Sequence, residues 1–129
     1  MSLPSPHCHA PAVITGASSG IGEQLAIQLA ARGYPLILVA RRIEKLQALA
    51  TQLQQQFQVQ VTLRPCDLAD HTARHQLIEE LQHQHISILC NNAGFATFGL
   101  LHELDAARER EEVELNVVAV HDLTLAVLP

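Results

Sequence analysis

Short apolar runs alternate along this chain with longer stretches in which apolar residues recur every three or four positions. The first run, Ala12-Val13-Ile14, predicts a strand ending at Thr15. From about Gly20, residues Ile21, Leu25 and Leu29 fall at four-residue spacing, which predicts a helix with those side chains inward, ended by Gly33 and Pro35. Leu36 to Val39 is continuously apolar, as a strand covered on both faces should be. Ile43, Leu46, Leu49, Leu53 and Phe57 then predict a second helix from about Arg42 to Gln56, with a Gln-rich solvated face.

Val59, Val61 and Leu63 alternate with Gln60 and Thr62, so a third strand over 59–63 has one exposed face and belongs at the periphery. A third helix is expected from about Asp70, as N-cap, to His83, with Leu77, Ile78 and Leu81 inward. Ile86 to Cys90 predicts a fourth strand, and a fourth helix is expected from about Asp105 to Leu128. In that helix the projection places Asn116 inside an apolar arc with Val113, Val117 and Val120, and Leu115, Val118 and Leu125 outside it.

This alternation predicts an α/β fold, a doubly wound parallel sheet of four strands in the order 3-2-1-4 with four main helices. Residues 1–10 are expected to form a flexible arm, and 11–129 the wound domain. Such sheets bind ligands beyond the carboxyl ends of their strands, where strand order reverses. Here that point lies between strands one and four. Two segments far apart in sequence converge there, Thr15-Gly16-Ala17-Ser18-Ser19-Gly20-Ile21-Gly22 and Asn91-Asn92-Ala93-Gly94. A glycine-rich turn lets backbone approach a ligand closely, and the helix it opens offers unpaired N–H groups and a positive dipole end to phosphate.

Composition narrows the partners. A net charge of −5 without a Lys/Arg run argues against nucleic acid or anionic membrane as the main partner. The segment Val117 to Leu128 is broken by His121 and Asp122 and is too short to span a bilayer, and the first residues do not form a secretory signal. Three cysteines, Cys8, Cys66 and Cys90, cannot all pair and read as reduced thiols of a cytoplasmic protein, the latter two as small buried residues. His7-Cys8-His9 lacks a distant fourth ligand, and His71 and His75 lack the Glu of a zinc-protease helix, so no metal site is expected.

Together, Thr15-Gly16-x-x-x-Gly20-x-Gly22 and Asn91-Asn92-Ala93-Gly94 resemble the short-chain dehydrogenase/reductase family, with Asp67-Leu68 and Asn116 at further matching positions, over Ala12 to Pro129. The resemblance implies a Rossmann-like NAD(P)-binding domain. It implies that Gly16, Ser18, Ser19, Gly20, Ile21 and Gly22 line the pyrophosphate and adjacent ribose. It also implies that Asp67 accepts from the adenine amino group beside Leu68, and that Asn91, Ala93 and Gly94 border the nicotinamide-side ribose. Asn116 matches the family's active-site Asn, whose backbone carbonyl holds a water in a proton relay; a structural Asn bridging helix four to its neighbours would serve equally.

An NAD site wants a carboxylate about 20 residues past the glycines, but strand two ends in Val39-Ala40-Arg41-Arg42. A guanidinium binds a 2′-phosphate through two parallel hydrogen bonds, whereas a carboxylate would repel it. Arg41 first, and Arg42 second, therefore point to NADP(H) over NAD(H). The family's Ser and Tyr-x-x-x-Lys are absent: the one Tyr is Tyr34, with Leu38 four residues on, and the one Lys is Lys45. The expectation is thus an NADP(H)-dependent carbonyl–alcohol oxidoreductase represented by its cofactor-binding half, incomplete at the C-terminus and inactive alone. A full-length form would take a small-molecule substrate and, as the family implies, form a homo-oligomer through helix four. The rival readings are a catalytically silent NADP(H)-binding or regulatory module, and an interaction fragment.

Overall fold

The structure, a computed structural model, describes residues 2–129. Its elements run in the order β1 (Ala12–Thr15), α1 (Gly20–Ala31), β2 (Leu36–Ala40), α2 (Ile43–Phe57), β3 (Val61–Pro65), α3 (His71–Gln82) and β4 (Ile88–Cys90). A 3₁₀ turn at Leu101–Glu103 then precedes one interrupted helical rod, made of α4 (Ala106–Val113), a π-helical turn (Glu114–Val118) and α5 (Ala119–Val127).

All strand pairs are parallel and the order is β3-β2-β1-β4, as expected for a doubly wound sheet. Ile14 of β1 lies opposite Leu38 of β2 on one side and Cys90 of β4 on the other. Because strand side chains alternate between faces, β1 and β2 feed two separate cores. Ala12, Ile14, Leu36 and Leu38 pack with Ala26 and Leu29 of α1 and with Leu46, Leu49 and Leu53 of α2. Val13, Ile37 and Val39 pack instead with Leu77 and Leu81 of α3 and with Ala119 and Leu123 of α5. Every residue of β2 is buried, which accounts for its unbroken apolar run.

Several expectations are corrected by packing. The inward face of α1 is Gly22, Ala26, Leu29 and Ala30, while Ile21 is 74% exposed. Small residues face the sheet because the helix start lies close against β1, and the larger Ile21 is turned away. Ile43 likewise leaves the core side of α2 and is 42% exposed. β3 begins two residues later than the alternation suggests and runs to Pro65, opposite Ala40; a proline is tolerated there because β3 is an edge strand. β4 is shorter than predicted, starting at Ile88.

The largest correction concerns the fourth helix. The expected arc of Val113, Asn116 and Val117 is exposed, and the buried line is Ala119 and Leu123, flanked by half-buried Leu115 and Val127. A regular 100° projection fails here because the π turn takes up an extra residue and rotates α5 relative to α4. Asp70 does cap α3, accepting from the Ala73 N–H at 2.7 Å. At the other end of the sheet Tyr34 is buried and its hydroxyl donates to the Pro4 carbonyl.

Candidate functional site

Beyond the carboxyl ends of β1, β2 and β3 the turns enclose a cleft of about 310 Å³. Gly16, Ser18 and Ser19 form one wall, Arg41 and Arg42 another, Asp67 and Leu68 a third, and Ala93 and Gly94 close it. Most of the sequence-derived candidates therefore meet in one place. Gly20, Ile21, Gly22, Asn91 and Asn116 do not line the cleft. Gly22 is buried behind it, and the exposed Ile21 lies on the outer side of α1 with Glu23 and Gln24.

The glycine turn is locked by contact with the β4 exit. Gly16 has φ +65°, and a Cβ there would lie 2.9 Å from the Ala93 Cα. A Cβ on Gly22 would overlap the Gly16 carbonyl oxygen and the Asn92 side-chain nitrogen. Ser19 stands at the N-cap of α1 but makes no side-chain capping bond. The first turn of this 12-residue helix thus keeps donors without a side-chain partner, which suits an anion at its end.

Two motif residues to which the sequence assigns no role of their own hold this region together. The buried Thr15 hydroxyl accepts from the N–H groups of Asn92 at 3.0 Å and Ala93 at 2.9 Å, and faces the Cys90 carbonyl at 3.3 Å. In return the Asn92 amide donates to the carbonyls of Thr15 and Gly16. The neighbouring Asn91 points elsewhere, donating to Thr124 Oγ1 at 3.1 Å.

Asn116, in the π turn, uses both ends of its amide on one residue. Its Oδ1 accepts from the Phe95 N–H at 3.2 Å and its Nδ2 donates to the Phe95 carbonyl at 2.7 Å. This fixes the segment just after Gly94. Phe95 and Arg108 also line the cleft, with the Arg108 guanidinium 3.7 Å from the Phe95 ring centroid and 2.7 Å from Glu111. A cation in the first turn of α4 runs against the helix dipole, and that signal in the sequence would have pointed to Arg108.

The cleft carries Arg41, Arg42 and Asp67 beside the Arg108–Glu111 ion pair. The ion pairs among the described residues engage Arg64, Arg74, Arg108 and three histidines, and of the Lys and Arg side chains left unpaired Arg41 and Arg42 are the two that line the cleft. Both are exposed at the mouth. The exposed Asp67 accepts from the Ala69 N–H at 3.1 Å, one of the bonds that shape its turn. Cys66, at the floor, is 8% exposed, and burial, helped by Asp67 and Asp70, pushes its thiol up to about 11. It is neutral at physiological pH and offers no nucleophile. Among the described residues no three His, Cys, Asp or Glu side chains are grouped to hold a metal, and no helix is long and apolar enough to cross a membrane.

Comparison with known proteins places this geometry. The chain is 38% identical to the fatty acyl-CoA reductase of Acinetobacter baylyi over 122 residues, covering 92% of this chain and 41% of that protein. The structure superposes on a bulky-bulky ketone specific alcohol dehydrogenase from Comamonas testosteroni with a TM-score of 0.88 at 33% identity, covering 94% of this chain and 49% of that one. A short-chain dehydrogenase from Sphingobium yanoikuyae, solved in complex with NADPH, gives a TM-score of 0.87 at 36% identity, covering 92% and 46% respectively. The chain thus spans less than half the length of each of these proteins. A family model for short chain dehydrogenases matches residues 10–129, the whole of the wound sheet and its helices. With parallel strands in the order 3-2-1-4 and a glycine turn meeting the β4 exit, the chain belongs to the short-chain dehydrogenase family.

Proposed function

We propose that this chain is the NADP(H)-binding part of an oxidoreductase that interconverts a carbonyl and an alcohol. The observation that carries the reading is the pair of partnerless guanidinium groups, Arg41 and Arg42, on the same cleft as the glycine turn and Asp67. Two unpaired cations at the start of α2 oppose its dipole, and a 2′-phosphate between them would relieve that conflict. The relative solved with NADPH supports the choice of cofactor.

When bound, the nicotinamide supplies or accepts a hydride. The chain's own residues bind and orient. The Gly16–Gly22 turn with the first turn of α1 holds the pyrophosphate, Asp67 and Leu68 hold the adenine, and Arg41 with Arg42 holds the 2′-phosphate. Ala93 and Gly94 border the second ribose, while Asn91, turned to Thr124, stays out of the cleft. Asn116 enters through its backbone carbonyl, as the proton relay implied by the resemblance requires, since its side chain is committed to Phe95. Tyr34 takes no part in proton transfer, being buried against Pro4 away from the cleft. The 129-residue polypeptide therefore binds cofactor without turnover, and a longer form carries out the reaction, in the cytoplasm and as a homo-oligomer through the α4–α5 rod.

Fluorescence titration with NADPH and NADH tests this reading. NADPH should bind more tightly by about 10-fold or more, the worth of one hydrogen bond to a charged group, and Arg41→Asp should erase or reverse the preference. Equal titration curves for the two cofactors would remove the arginine argument. Coding DNA past codon 129 that contains a Ser followed by Tyr-x-x-x-Lys would favour the enzyme over a silent binding module.

A further inference from the structure

Arg74 is the one charged side chain in the core among the described residues, 2% exposed on the inner face of α3. Its guanidinium reaches three separate elements. Nη1 donates to the Leu68 carbonyl at 2.7 Å, Nε to Asp122 Oδ2 at 3.0 Å, and Nη2 to Glu114 Oε2 at 3.2 Å. Leu68 belongs to the cleft wall beside Asp67. Glu114 opens the π turn that carries Leu115, also in the cleft wall, and Asn116, which grips Phe95. Asp122 lies on α5, on the far side of that turn.

The π turn makes this grip feasible. Residues eight apart on a regular α-helix point about 80° away from each other. Taking up one extra residue turns the helix beyond it back by about 100°. Glu114 and Asp122 then face nearly the same way, toward one guanidinium. A buried guanidinium must be paired and hydrogen-bonded, so each of the three contacts constrains the other two.

We propose that Arg74 is a positioning residue that couples the Leu68 wall of the cleft to the π turn, so that one buried cation sets the spacing between the two sides. The inference rests on the proposed function, in which the cleft holds the adenine end of NADP(H). Leu68 and Leu115 both line the cleft in which such a ring would lie, and both belong to the core cluster beneath it. Shifting either wall would weaken the adenine end first, with Arg41 and the glycine turn untouched.

The test uses the full 129-residue chain and three variants, Arg74→Lys, Asp122→Asn and Glu114→Gln, all compared well below their melting temperatures. Lys keeps the charge but cannot reach three partners from one planar group. The two carboxylate variants act on half-exposed residues and preserve shape should Arg74→Lys fail to fold. The dissociation constants of NADPH and of adenosine 2′,5′-bisphosphate, a fragment lacking the nicotinamide, are measured together. Both should rise by the same factor, roughly 2- to 30-fold, the range over which residues outside a site modulate it. A lowered melting temperature with unchanged constants would show a purely structural role and overturn the proposal.

Amide hydrogen exchange on the ligand-free chain separates this inference from the cofactor reading. In Asp122→Asn the amides of Leu68–Ala69 and of Glu114–Val118 should exchange faster together. Faster exchange in the π turn alone overturns the coupling, whether or not NADPH binds. Failure of the unmodified chain to bind NADPH, with the two segments still responding together, overturns the cofactor reading and leaves the coupling standing.

Discussion

The hydroxyl of Thr15 accepts hydrogen bonds from the backbone N–H groups of Asn92 and Ala93, joining residues 77 and 78 positions apart. One oxygen on the central strand thereby satisfies two donors of the turn that closes the cleft. Nothing else among the described residues bonds those two N–H groups except the Cys90 carbonyl, which accepts from Asn92.

Thr15→Val keeps the shape of the side chain and removes that acceptor. The Ala93 N–H is left buried or forced to move, so the variant should lose about 1–3 kcal/mol. Urea denaturation followed by circular dichroism measures this, and an unchanged midpoint would show that the turn finds other partners.

Gly22→Ala places a methyl group where the Gly16 carbonyl and the Asn92 amide already stand. Because those atoms are backbone and a clasped amide, they cannot yield cheaply. The expected loss is about 1–3 kcal/mol or more, together with weaker NADPH binding, since the turn is pushed out of shape. A variant as stable as the parent, with the same affinity, sinks the close-packing account.

The orientation of α1 is checked by a pair of substitutions. Leu29 is 6% exposed and Ile21 is 74% exposed, so Leu29→Ala should cost about 2–5 kcal/mol and Ile21→Ser should stay within about 0.5 kcal/mol. The reverse ranking would restore Ile21 to the core.

The thiols give a pH-dependent prediction. Cys8 is exposed, while burial raises both Cys66 and Cys90 above the ordinary thiol range. At neutral pH a disulfide exchange reagent should label Cys8 at once and the other two only on unfolding. Cys66 titrates near 9.0 when unfolded and near 11 in the native chain. Between those values the unfolded state sheds its proton first and binds fewer, so stability falls as pH rises from 9 toward 11. Below that window neither state ionises there and the effect vanishes. Cys66→Ala should flatten that decline in a urea midpoint series; an identical slope would remove Cys66 from it.

Periodicity was enough to read the strand order, because an unbroken apolar run at Leu36–Val39 and an alternating one near Val61 already distinguish a central from an edge strand. The topology also brought Gly16 and Gly94 to one place, since both follow strands of one parallel sheet, whereas Asp67 came from the family resemblance and Arg41 from the missing carboxylate after strand two. Periodicity misplaced Ile21 because four-residue spacing does not say which face of a helix start lies against the sheet. It misplaced Asn116 because a π turn leaves no mark in the hydrophobic pattern. Thr15 and Asn92, named within the motifs, received no role of their own, and Arg74 received none either, for a common reason. Their importance lies in contacts between segments 40 or more residues apart, as in the Arg74–Glu114 bond, which no local pattern records.

The sheet order also dictates a sequence of events at the ribosome. β1 is made first of the strands, yet one of its two neighbours is β4, which ends at Cys90. At ordinary synthesis rates the roughly 75 intervening residues take about 4–15 s to emerge. Throughout that interval the nascent chain shows one unpaired edge of its most buried strand, with the glycine turn formed but missing its far wall. That is the period in which chaperone contact and misassembly compete for the chain, and the Thr15–Asn92 clasp is the event that ends it.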